Sequence, residues 1–450
     1  MTTRRQFLGT AAAAGLGMPM LAGQALSSSA KRVAANDKIQ IALIGCGGMG
    51  QGDASTSTST GLTKLVAACD CYDGRLEHMK EVYGQDIFTT RNYQDILARK
   101  DIDAVLIGTP DHWHSRISVD AMKAGKDVYC EKPMVQHVED GLAVVEAQKA
   151  TNRILQVGSQ RVSSIIYKKA QEIFRAGKIG DLMVVEAWWD RNTAVGAWEY
   201  TVPPDASLKT CDWDQFQGRA PKTAWDPLRF FRWRCYRDYG TGVAGDLFVH
   251  LFSGLHFIVG ATGPTRAFAT GGLRFWNDGR DVPDVLLGLF DYPKTAAHPA
   301  FTLTLRVNFV SGAEESSGFR FVGTEGIMTV GGTVTLSKHP EETAPGLSID
   351  TFSKAIQAQC RADYERHFPE KRPTAETMGA NVETVFRAPH GYSDHYDHHT
   401  NFARAVRSRT PVVEDAVFGL RAAGPALLSN MSYFEARQVE WDPMNMKVKA

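Results

Sequence analysis

Short apolar segments alternate with amphipathic stretches over residues 37–158. Five of these apolar segments have the length and unbroken hydrophobicity of buried β-strands: Ile39–Ile44, Leu65–Cys69, Ala104–Ile107, Val128–Cys130 and Ile154–Val157. Strands that are apolar on both faces and separated by helices are typical of a parallel sheet covered by helices on both sides. The pattern therefore predicts an N-terminal α/β domain over residues 37–158.

The hydrophobic pattern changes after Val157. A helix is predicted around Ile165–Ala176, and longer strand-like segments follow at Leu182–Trp189, Val285–Phe290, Phe301–Phe309 and Phe319–Val322. The segments between these strands lack helices long enough for parallel crossovers, so an open, mostly antiparallel sheet is expected. We predict an α+β domain over residues 159–394. Residues 395–450 are predicted to form helices that pack back on the N-terminal domain, the last of them near Asp415–Arg437.

A glycine-rich loop directly follows the first predicted strand. Gly45, Gly47 and Gly50 have the GxGxxG spacing, and Asp70 ends the next strand. The glycines permit a tight turn, close approach of the backbone to a pyrophosphate and close packing of a helix on the strand. Asp70 would accept hydrogen bonds from ribose hydroxyls and would repel a 2′-phosphate. These features predict a Rossmann domain that binds NAD, with NADP disfavoured.

The residues after this loop are poor helix formers. Residues 53–61 read DASTSTSTG, a series of serines and threonines where the phosphate-binding helix should begin. Such side chains compete with the backbone for hydrogen bonds. The sequence therefore predicts a short or irregular first helix.

The first thirty residues have the order of an export leader. Arg4 and Arg5 precede an apolar Ala/Gly-rich stretch from Phe7 to Leu21, and small residues follow near Ala25 and Ala30. We predict that residues 1–30 are a twin-arginine signal peptide, so that the protein is exported folded and is periplasmic or extracellular. Neither this stretch nor any later segment has the apolar length of a convincing membrane span, so no integral membrane association is expected.

The overall charge is balanced. The chain has 50 Lys and Arg against 50 Asp and Glu, a formal net charge of zero. No net field draws it to nucleic acid or to anionic lipid. A small-molecule partner is expected, and no nucleic-acid partner.

Three further segments carry candidate chemistry. GTPDHWH, residues 108–114, and YCEKPMV, residues 129–135, leave the strands Ala104–Ile107 and Val128–Cys130 at the sheet edge where open α/β folds bind ligands. The third segment places Asp246 and His250 four residues apart on one predicted helix face. On the residues alone, a turn leaving a strand explains Lys132 and Pro133 as well, and a helical ion pair explains Asp246 and His250.

Together with the glycine loop, these segments resemble the Gfo/Idh/MocA family, named for glucose-fructose oxidoreductase and inositol dehydrogenase. The resemblance runs from about Ile39 to the C-terminal helices. It implies that Lys132 lies beside the nicotinamide and the reacting hydroxyl, where it holds or relays a proton. It also implies that His250 takes the hydroxyl proton and that Asp246 orients His250. The predicted cofactor contacts are Gly45, Gly47, Met49, Gly50, Asp70, Thr109, Pro110, His114, Glu131 and Lys132.

This chain departs from many family members at one position near the predicted base. They carry an aspartate three residues after the histidine, where this chain has Ser253. The proton path at that position is therefore left open.

The predicted substrate site includes a long aromatic insertion, residues 192–239, with interleaved arginines. Aromatic faces and forked donors suit sugar rings and their hydroxyls, although a packed loop without ligand contacts explains any single residue equally well. Arg161, Trp189 and Tyr236 are the predicted substrate contacts. In the resembling family the C-terminal sheet often mediates oligomers, so a homo-oligomer is expected.

The segment SDHYDHHTNF, residues 393–402, concentrates three histidines beside two aspartates. A metal site is one interpretation. The family resemblance matches His398, Asn401 and Phe402 to the start of a helix that packs between the domains, and no HExxH motif is present. We therefore predict a structural role and no metal ion.

These features predict an exported NAD-dependent oxidoreductase that acts on a hydroxyl of a sugar or glycoside. Because soluble nicotinamide is not supplied outside the cytoplasm, a tightly bound, retained cofactor is expected. One alternative is an NAD-dependent glycoside hydrolase that oxidises a ring carbon transiently and eliminates the aglycone. A second alternative is a non-catalytic sugar-binding protein that keeps the fold.

Overall fold

The structure is a computed structural model that describes residues 38–339, 345–369 and 384–449. The predicted leader, residues 1–30, lies outside these ranges. Within them, no helix combines the length and the hydrophobicity needed to cross a bilayer.

A six-stranded parallel sheet forms the N-terminal domain, in the strand order β3-β2-β1-β4-β5-β6. Its strands are β1 (Ile39–Ile44), β2 (Thr63–Cys69), β3 (Phe88–Thr90), β4 (Ala104–Ile107), β5 (Asp127–Cys130) and β6 (Leu155–Val157). The helices between them are α1 (Gly48–Ser59), α2 (Asp73–Tyr83), α3 (Tyr93–Ala98), α4 (Asp111–Lys123) and α5 (Gly141–Thr151). The strand order reverses at β1, so the loops after β1 and β4 flank a crevice at the carboxyl edge of the sheet.

The predicted Rossmann architecture is confirmed, and each of the five predicted strands is present. β3 was not predicted. It has only three residues, Phe88–Thr90, and none of them is buried. A short edge strand of this kind carries no unbroken apolar signal, which explains why the pattern missed it.

The prediction of a short or irregular first helix was wrong, because α1 is a regular helix of 12 residues. Its hydroxyl groups are satisfied in the helical conformation. Thr58 Oγ1 donates to the carbonyl oxygen of Ala54 at 2.8 Å, and the buried Ser57 Oγ shares a hydrogen bond with Thr63 Oγ1 at 3.1 Å. Packing on β1 and β2 therefore overrides the low intrinsic propensity of the serines and threonines.

Backbone contact brings α1 against the loops that follow β1 and β4. Gly45 has a φ of +94°, and a Cβ there would lie 2.5 Å from the backbone nitrogen of Thr109. A Cβ on Gly50 would overlap the carbonyl oxygen of Gly45. Glycine at these two positions is thus what allows the helix to start directly beneath the loop.

A ten-stranded sheet forms the second domain, in the order β14-β13-β12-β11-β7-β10-β9-β8-β15-β16. Its strands are β7 (Leu182–Asp190), β8 (Arg266–Gly272), β9 (Val285–Tyr292), β10 (Phe301–Asn308), β11 (Ser316–Gly323), β12 (Gly326–Val330), β13 (Thr333–Lys338), β14 (Thr384–Arg387), β15 (Val439–Asp442) and β16 (Lys447–Val448). β7 and β10 are parallel, and the other neighbouring strands are antiparallel. The prediction of a mostly antiparallel sheet is confirmed.

The helices of the second domain connect this sheet to the first domain. They are α6 (Ile165–Arg175), α7 (Trp213–Gln217), α8 (Pro227–Phe231), α9 (Val249–Val259), α10 (Lys354–His367), α11 (Asp394–Ser408) and α12 (Ala416–Glu435). α9 packs against α6 and α12, and Phe252 on α9 meets Phe290 of β9 edge to face. α12 also contacts β8 and α5, so it joins both domains, whereas the sequence predicted docking on the first domain.

The histidines at the start of α11 are used to join the two domains. His398 Nδ1 lies 2.8 Å from Ser163 Oγ, which also accepts a hydrogen bond from Asn401 Nδ2 at 3.2 Å. His399 Nε2 lies 3.1 Å from Asp53 Oδ1 on α1. In the parts of the chain that the structure describes, no group of three or more His, Cys, Asp or Glu side chains is placed to hold a metal ion.

Glu414 lies just before α12 and is completely buried between the domains. Its carbonyl oxygen accepts a hydrogen bond from the Val157 amide at 2.9 Å, and its Oε1 accepts one from Ser253 Oγ at 3.0 Å. Burial raises the pKa of Glu414 to about 8. Glu414 is therefore largely protonated at neutral pH. Its contacts link β6 to α9, the helix that carries His250, through Ser253, the position at which the sequence departs from the resembling family.

We expect Gly50→Ala to destabilise the N-terminal domain by about 1–3 kcal/mol, because the added methyl group would overlap the Gly45 carbonyl oxygen. Gly52→Ala on the same helix is the control. A Cβ at Gly52 meets nothing within 4 Å, so this variant should gain about 0.5–1 kcal/mol from helix propensity. Urea unfolding followed by circular dichroism measures both, and equal stability of the two variants would contradict the close approach of α1 to the loop.

Glu414→Gln should change how stability depends on pH. The folded protein holds the Glu414 proton up to about pH 8, whereas an unfolded glutamate loses it near pH 4.3. Rising pH between these values therefore favours unfolding of the wild type. Glutamine keeps the acceptor for Ser253 but does not titrate. The difference in urea midpoint between the variant and the wild type is measured at pH 5.5 and at pH 8. It should move in favour of the variant at the higher pH. A difference that does not depend on pH would show that Glu414 ionises normally.

Candidate active site

A cavity of about 650 Å³ lies at the carboxyl edge of the parallel sheet, between the two domains. Residues of the glycine loop, including Gly47 and Met49, line it together with Lys132, Asp246 and His250. Its size is that of a small-molecule site. The predicted cofactor loop and the predicted catalytic residues therefore share one cavity.

Most of the predicted site residues line this cavity. They are Gly45, Gly47, Met49, Asp70, Thr109, Pro110, Glu131, Lys132, Arg161, Trp189, Asp246 and His250. Three predicted residues do not line it: Gly50, His114 and Tyr236.

Each of these three residues has a supporting position instead. Gly50 packs beneath Gly45. The ring nitrogens of His114 lie 2.7 Å and 2.9 Å from the carbonyl oxygens of Pro133 and Thr109, so the imidazole connects the loops that follow β5 and β4. Tyr236 is buried under a neighbouring guanidinium, that of Arg229, whose Cζ is 4.5 Å from the ring centroid. Direct contact of Gly50 or His114 with a cofactor, or of Tyr236 with a substrate, is not supported by these placements.

The glycine-loop end of the cavity fits a pyrophosphate. α1 begins at Gly48, and no side chain caps its first turn. A Cβ on Gly47 would meet only the Arg75 guanidinium, at 3.9 Å, and a Cβ on Gly48 would meet nothing within 4 Å. The buried hydroxyl of Thr109, also on the cavity wall, has no hydrogen-bond partner among the described residues. Free amides, open space and an unpaired hydroxyl together form a cradle for an anionic dinucleotide.

Asp70 occupies the place expected of a ribose-binding carboxylate. Its Oδ2 accepts a hydrogen bond from the Cys46 amide at 2.7 Å, and its Oδ1 accepts one from the Tyr72 amide at 2.9 Å. Arg75 Nη1 lies 3.5 Å from Oδ2. These backbone contacts fix the carboxylate at the end of β2 and on the cavity wall.

An ion pair crosses the cavity between the domains. Lys132 Nζ donates to Asp246 Oδ1 at 2.7 Å and to the Asp246 carbonyl oxygen at 2.9 Å. Arg234 Nε donates to the same Oδ1 at 3.3 Å. Although burial opposes its ionisation, the two cations hold the pKa of Asp246 below its usual range. Asp246 is therefore a carboxylate, and its nearest partners are Lys132 and Arg234.

The helix around Asp246 is not regular, whereas the sequence predicted a regular helical stretch. Residues Ala244–Phe248 form a π-helical turn that leads into α9. A π-turn is wider than an α-turn, so the spacing of four residues does not by itself determine how the two side chains lie. Asp246 and His250 both line the cavity. A Cβ on Gly245, within this turn, would overlap the Thr241 side chain. The turn directs Asp246 to Lys132, and the implied hydrogen bond from His250 to Asp246 is not formed.

His250 lines the cavity and has one ring nitrogen without a hydrogen-bond partner among the described residues. The residue is buried, its ring lies 5.2 Å from the Trp189 ring, and its Nδ1 has no hydrogen-bond partner among the described residues. Burial lowers the pKa of His250 well below its usual value, and the positive charges of Lys132 and Arg161 lower it further. The imidazole is therefore neutral and can hydrogen-bond to a ligand hydroxyl, since a buried polar atom without a partner is otherwise costly.

Glu131 supports the lysine loop from behind. It is buried, and burial together with the charge of Asp53 raises its pKa well above the usual value. Its Oε1 accepts a hydrogen bond from Gln160 Nε2 at 3.1 Å, and a Cβ on Gly158 would overlap that same oxygen. Glu131 thus connects the Lys132 loop to the turn that carries Arg161.

Sequence reasoning missed several cavity residues. Arg234 was noted only as one of several arginines in the aromatic insertion, and its pairing with Asp246 depends on the fold. Arg191, just after β7, also lines the cavity, as does Gln160. The remaining lining residues from the insertion are Trp198, Tyr200, Thr201, Gln215, Phe216, Phe230, Phe231 and Trp233. The alternation of aromatic and basic residues was the available signal, but it could not separate the cavity wall from the packed interior.

Part of the chain is similar in sequence to known proteins. Residues 39–159 match the Gfo/Idh/MocA family model, described as an oxidoreductase family with an NAD-binding Rossmann fold. Inositol 2-dehydrogenase of Gluconacetobacter diazotrophicus is 33% identical over 159 residues, which are 35% of this chain and 47% of that protein. Inositol 2-dehydrogenase of Salmonella typhimurium is 32% identical over 123 residues, 27% of this chain and 37% of that protein. The chain thus matches less than half the length of these relatives.

Solved structures resemble the chain over both domains. Levoglucosan dehydrogenase in complex with NADH and levoglucosan has a TM-score of 0.61 at 17% identity, covering 90% of this chain and 99% of that one. The WlbA dehydrogenase of Bordetella pertussis, in complex with NADH and UDP-GlcNAcA, has a TM-score of 0.63 at 16% identity with the same coverage. At these identities the likeness establishes the two-domain fold. Over residues 39–159, the chain is similar to the NAD-binding Rossmann domain of the Gfo/Idh/MocA oxidoreductase family.

Proposed function

We propose that this protein is an NAD-dependent oxidoreductase that oxidises a hydroxyl group of a sugar or a related polyol. One observation carries the proposal: Lys132, Asp246 and the unpaired His250 line the same cavity as the glycine loop. The inositol and levoglucosan dehydrogenases to which the chain is similar support a polyhydroxylated substrate. Zero net charge gives no support to a nucleic-acid function.

A nicotinamide held in this cavity would supply the acceptor for the substrate hydride. The protein residues would handle position and protons. Two of the three N–H groups of Lys132 are engaged by Asp246, so the third can donate to the substrate oxygen. The His250 imidazole would accept the hydroxyl proton. The negative charge of Asp246 favours the imidazolium that forms, which opposes the effect of burial.

We propose NAD as the cofactor, because the Asp70 carboxylate on the cavity wall suits ribose hydroxyls and repels a 2′-phosphate.

We also propose that residues 1–30 direct folded export by the twin-arginine route. An enzyme outside the cytoplasm would need to retain its cofactor and regenerate it within its own cycle. Retention of the cofactor is tested by denaturing the purified protein and identifying the nucleotide that is released. Protein purified without nucleotide would contradict retention.

We further propose that the protein forms a homo-oligomer through the outer face of its C-terminal sheet. Phe268, Leu287 and Leu289 are 44%, 45% and 52% exposed on β8 and β9, and Phe268 pairs in register with Leu289. An apolar patch of this kind suits a contact with a second copy. Leu289→Lys should reduce the sedimenting mass to that of one chain. Wild-type protein that already sediments as one chain would contradict the proposal.

Replacing His250 with alanine should lower the single-turnover rate at which the sugar reduces the bound nucleotide by about 10²–10⁴-fold, because the proton acceptor is lost. Sugar affinity should change little, since the other walls of the cavity remain. The assay follows absorbance at 340 nm while the purified protein is mixed with a panel of sugars. Release of the aglycone from a glycoside without net absorbance change would instead support the glycosidase alternative.

His256→Gln is the matched control on the same helix. His256 lies away from the cavity, where its Nε2 is 2.8 Å from the Tyr292 hydroxyl. This variant should keep the activity of the wild type. Unchanged turnover in His250→Ala would remove His250 from the mechanism, and equal losses in both variants would indicate general damage to α9.

A further inference from the structure

The cavity around His250 and Asp246 is cationic. Lys132, Arg161, Arg191 and Arg234 all line the cavity. The charges of Lys132, Arg161 and Arg191 lower the pKa of His250, and Arg234 pairs with Asp246. The acidic residues of the cavity wall are Asp70, Glu131 and Asp246. Burial raises the pKa of Glu131 well above its usual value, which disfavours its charged form. The site therefore has an excess of positive charge beside the reacting residues.

The existing partners do not neutralise this charge. Asp246 is shared between Lys132 and Arg234. Arg191 Nε lies 3.2 Å from Glu315 Oε1, but the Glu315 side chain is 56% exposed, so this pair is screened by solvent. Among the described residues, the Arg161 guanidinium has neither a hydrogen bond nor an ion pair. It lies over the Trp189 ring, whose centroid is 5.5 Å from the guanidinium carbon.

Two guanidinium groups converge on the same aromatic ring. Arg191 Cζ is 5.8 Å from the Trp189 centroid, a distance close to that of Arg161. The Trp189 ring in turn lies 5.2 Å from the His250 ring. The charges of Arg161 and Arg191 both lower the pKa of His250, which places them within electrostatic reach of the reacting group.

The arginine beside the glycine loop is a different one, Arg75, whose guanidinium lies 3.9 Å from the position of a Cβ on Gly47. Arg161 and Arg191 instead lie against Trp189. A neutral sugar would leave the Arg161 guanidinium without a counter-charge in a partly enclosed site. An oxyanion on the substrate would instead receive charge-assisted hydrogen bonds from forked donors.

We propose that the preferred substrate is an acidic sugar, a uronate whose carboxylate is bound by Arg161 and Arg191 while its ring lies against Trp189. This inference rests on the proposed oxidoreductase function. In the reaction a carbinol carbon gives its hydride to the nicotinamide and the hydroxyl proton goes to His250, so the alcohol becomes a carbonyl group. The substrate carboxylate binds but undergoes no change in bonding.

The test compares sugars that differ only in the carboxylate. Purified protein with its own nucleotide is titrated with glucose and glucuronate, galactose and galacturonate, and mannose and mannuronate. Isothermal calorimetry gives Kd, and absorbance at 340 nm gives the single-turnover rate of nucleotide reduction. In at least one pair the uronate should be favoured by about ten-fold or more in both quantities. Glucose 6-sulfate is included to separate recognition of a carboxylate from recognition of any oxyanion.

Two variants should change this preference in opposite directions. Arg161→Gln should weaken uronate binding by about ten-fold and leave the neutral partner nearly unchanged. Glu315→Gln should strengthen uronate binding, because it removes the carboxylate that competes for Arg191. The glutamine amide oxygen can still accept the hydrogen bond that Trp189 Nε1 donates to Glu315 at 2.9 Å. Arg175→Gln, an exposed position at the end of α6, is the control and should have no effect.

The outcomes separate this inference from the proposed function. Equal use of neutral and acidic sugars, or an Arg161→Gln variant that loses both equally, would overturn the acidic-sugar assignment and leave the oxidoreductase proposal intact. Arg161-dependent binding of a uronate with no reduction of the nucleotide would support the anion site and contradict the redox function. Tighter binding of the sulfate ester than of the uronate would overturn the choice of a carboxylate.

Discussion

The ion pair between Lys132 and Asp246 is the interaction on which the candidate site depends. The two residues are 114 positions apart in the chain, and their side chains meet at 2.7 Å. Lys132 leaves the parallel sheet after β5, and Asp246 belongs to the π-helical turn of the second domain. A buried charge is costly without a partner. Here the carboxylate has two cations, and the ammonium also donates to the Asp246 carbonyl oxygen, so the pair holds the cofactor side and the substrate side in a fixed relation.

The GTPDHWH segment reinforces this relation between the domains. Asp111 Oδ2 accepts hydrogen bonds from the backbone and the hydroxyl of Thr241, at 3.0 Å and 2.6 Å, just before the π-helical turn. Burial raises the pKa of Asp111 to about 6. Trp113 Nε1 donates to the carbonyl oxygen of Phe216 in the aromatic insertion at 2.9 Å. Residues that the sequence placed at the ligand-binding edge of the parallel sheet thus also attach the second domain to the first. The attachment through Asp111 depends on whether its carboxyl group is ionised.

The sequence predicted the elements whose signals are local. Buried parallel strands such as β1 and β4 are apolar on both faces, and glycines at Gly45 and Gly50 mark a backbone contact that other residues could not make. The π-helical turn was not predictable, because its residues are as apolar as those of a regular helix. The pairing of Arg234 with Asp246 and the position of Glu414 beside Ser253 depend on contacts between distant segments. His114 and Tyr236 have polar groups of the expected kind, but packing turns them away from the cavity.

In the proposed reaction, a hydride passes from a sugar carbon to a nicotinamide retained in the cavity. The most direct test is to incubate the purified protein with carbon-deuterated glucose and glucuronate, denature it, and determine the mass of the released nucleotide. Our account predicts NADH that carries one deuterium, at an amount close to that of the protein chains. Release of nucleotide that never acquires deuterium, or of no nucleotide at all, would contradict it.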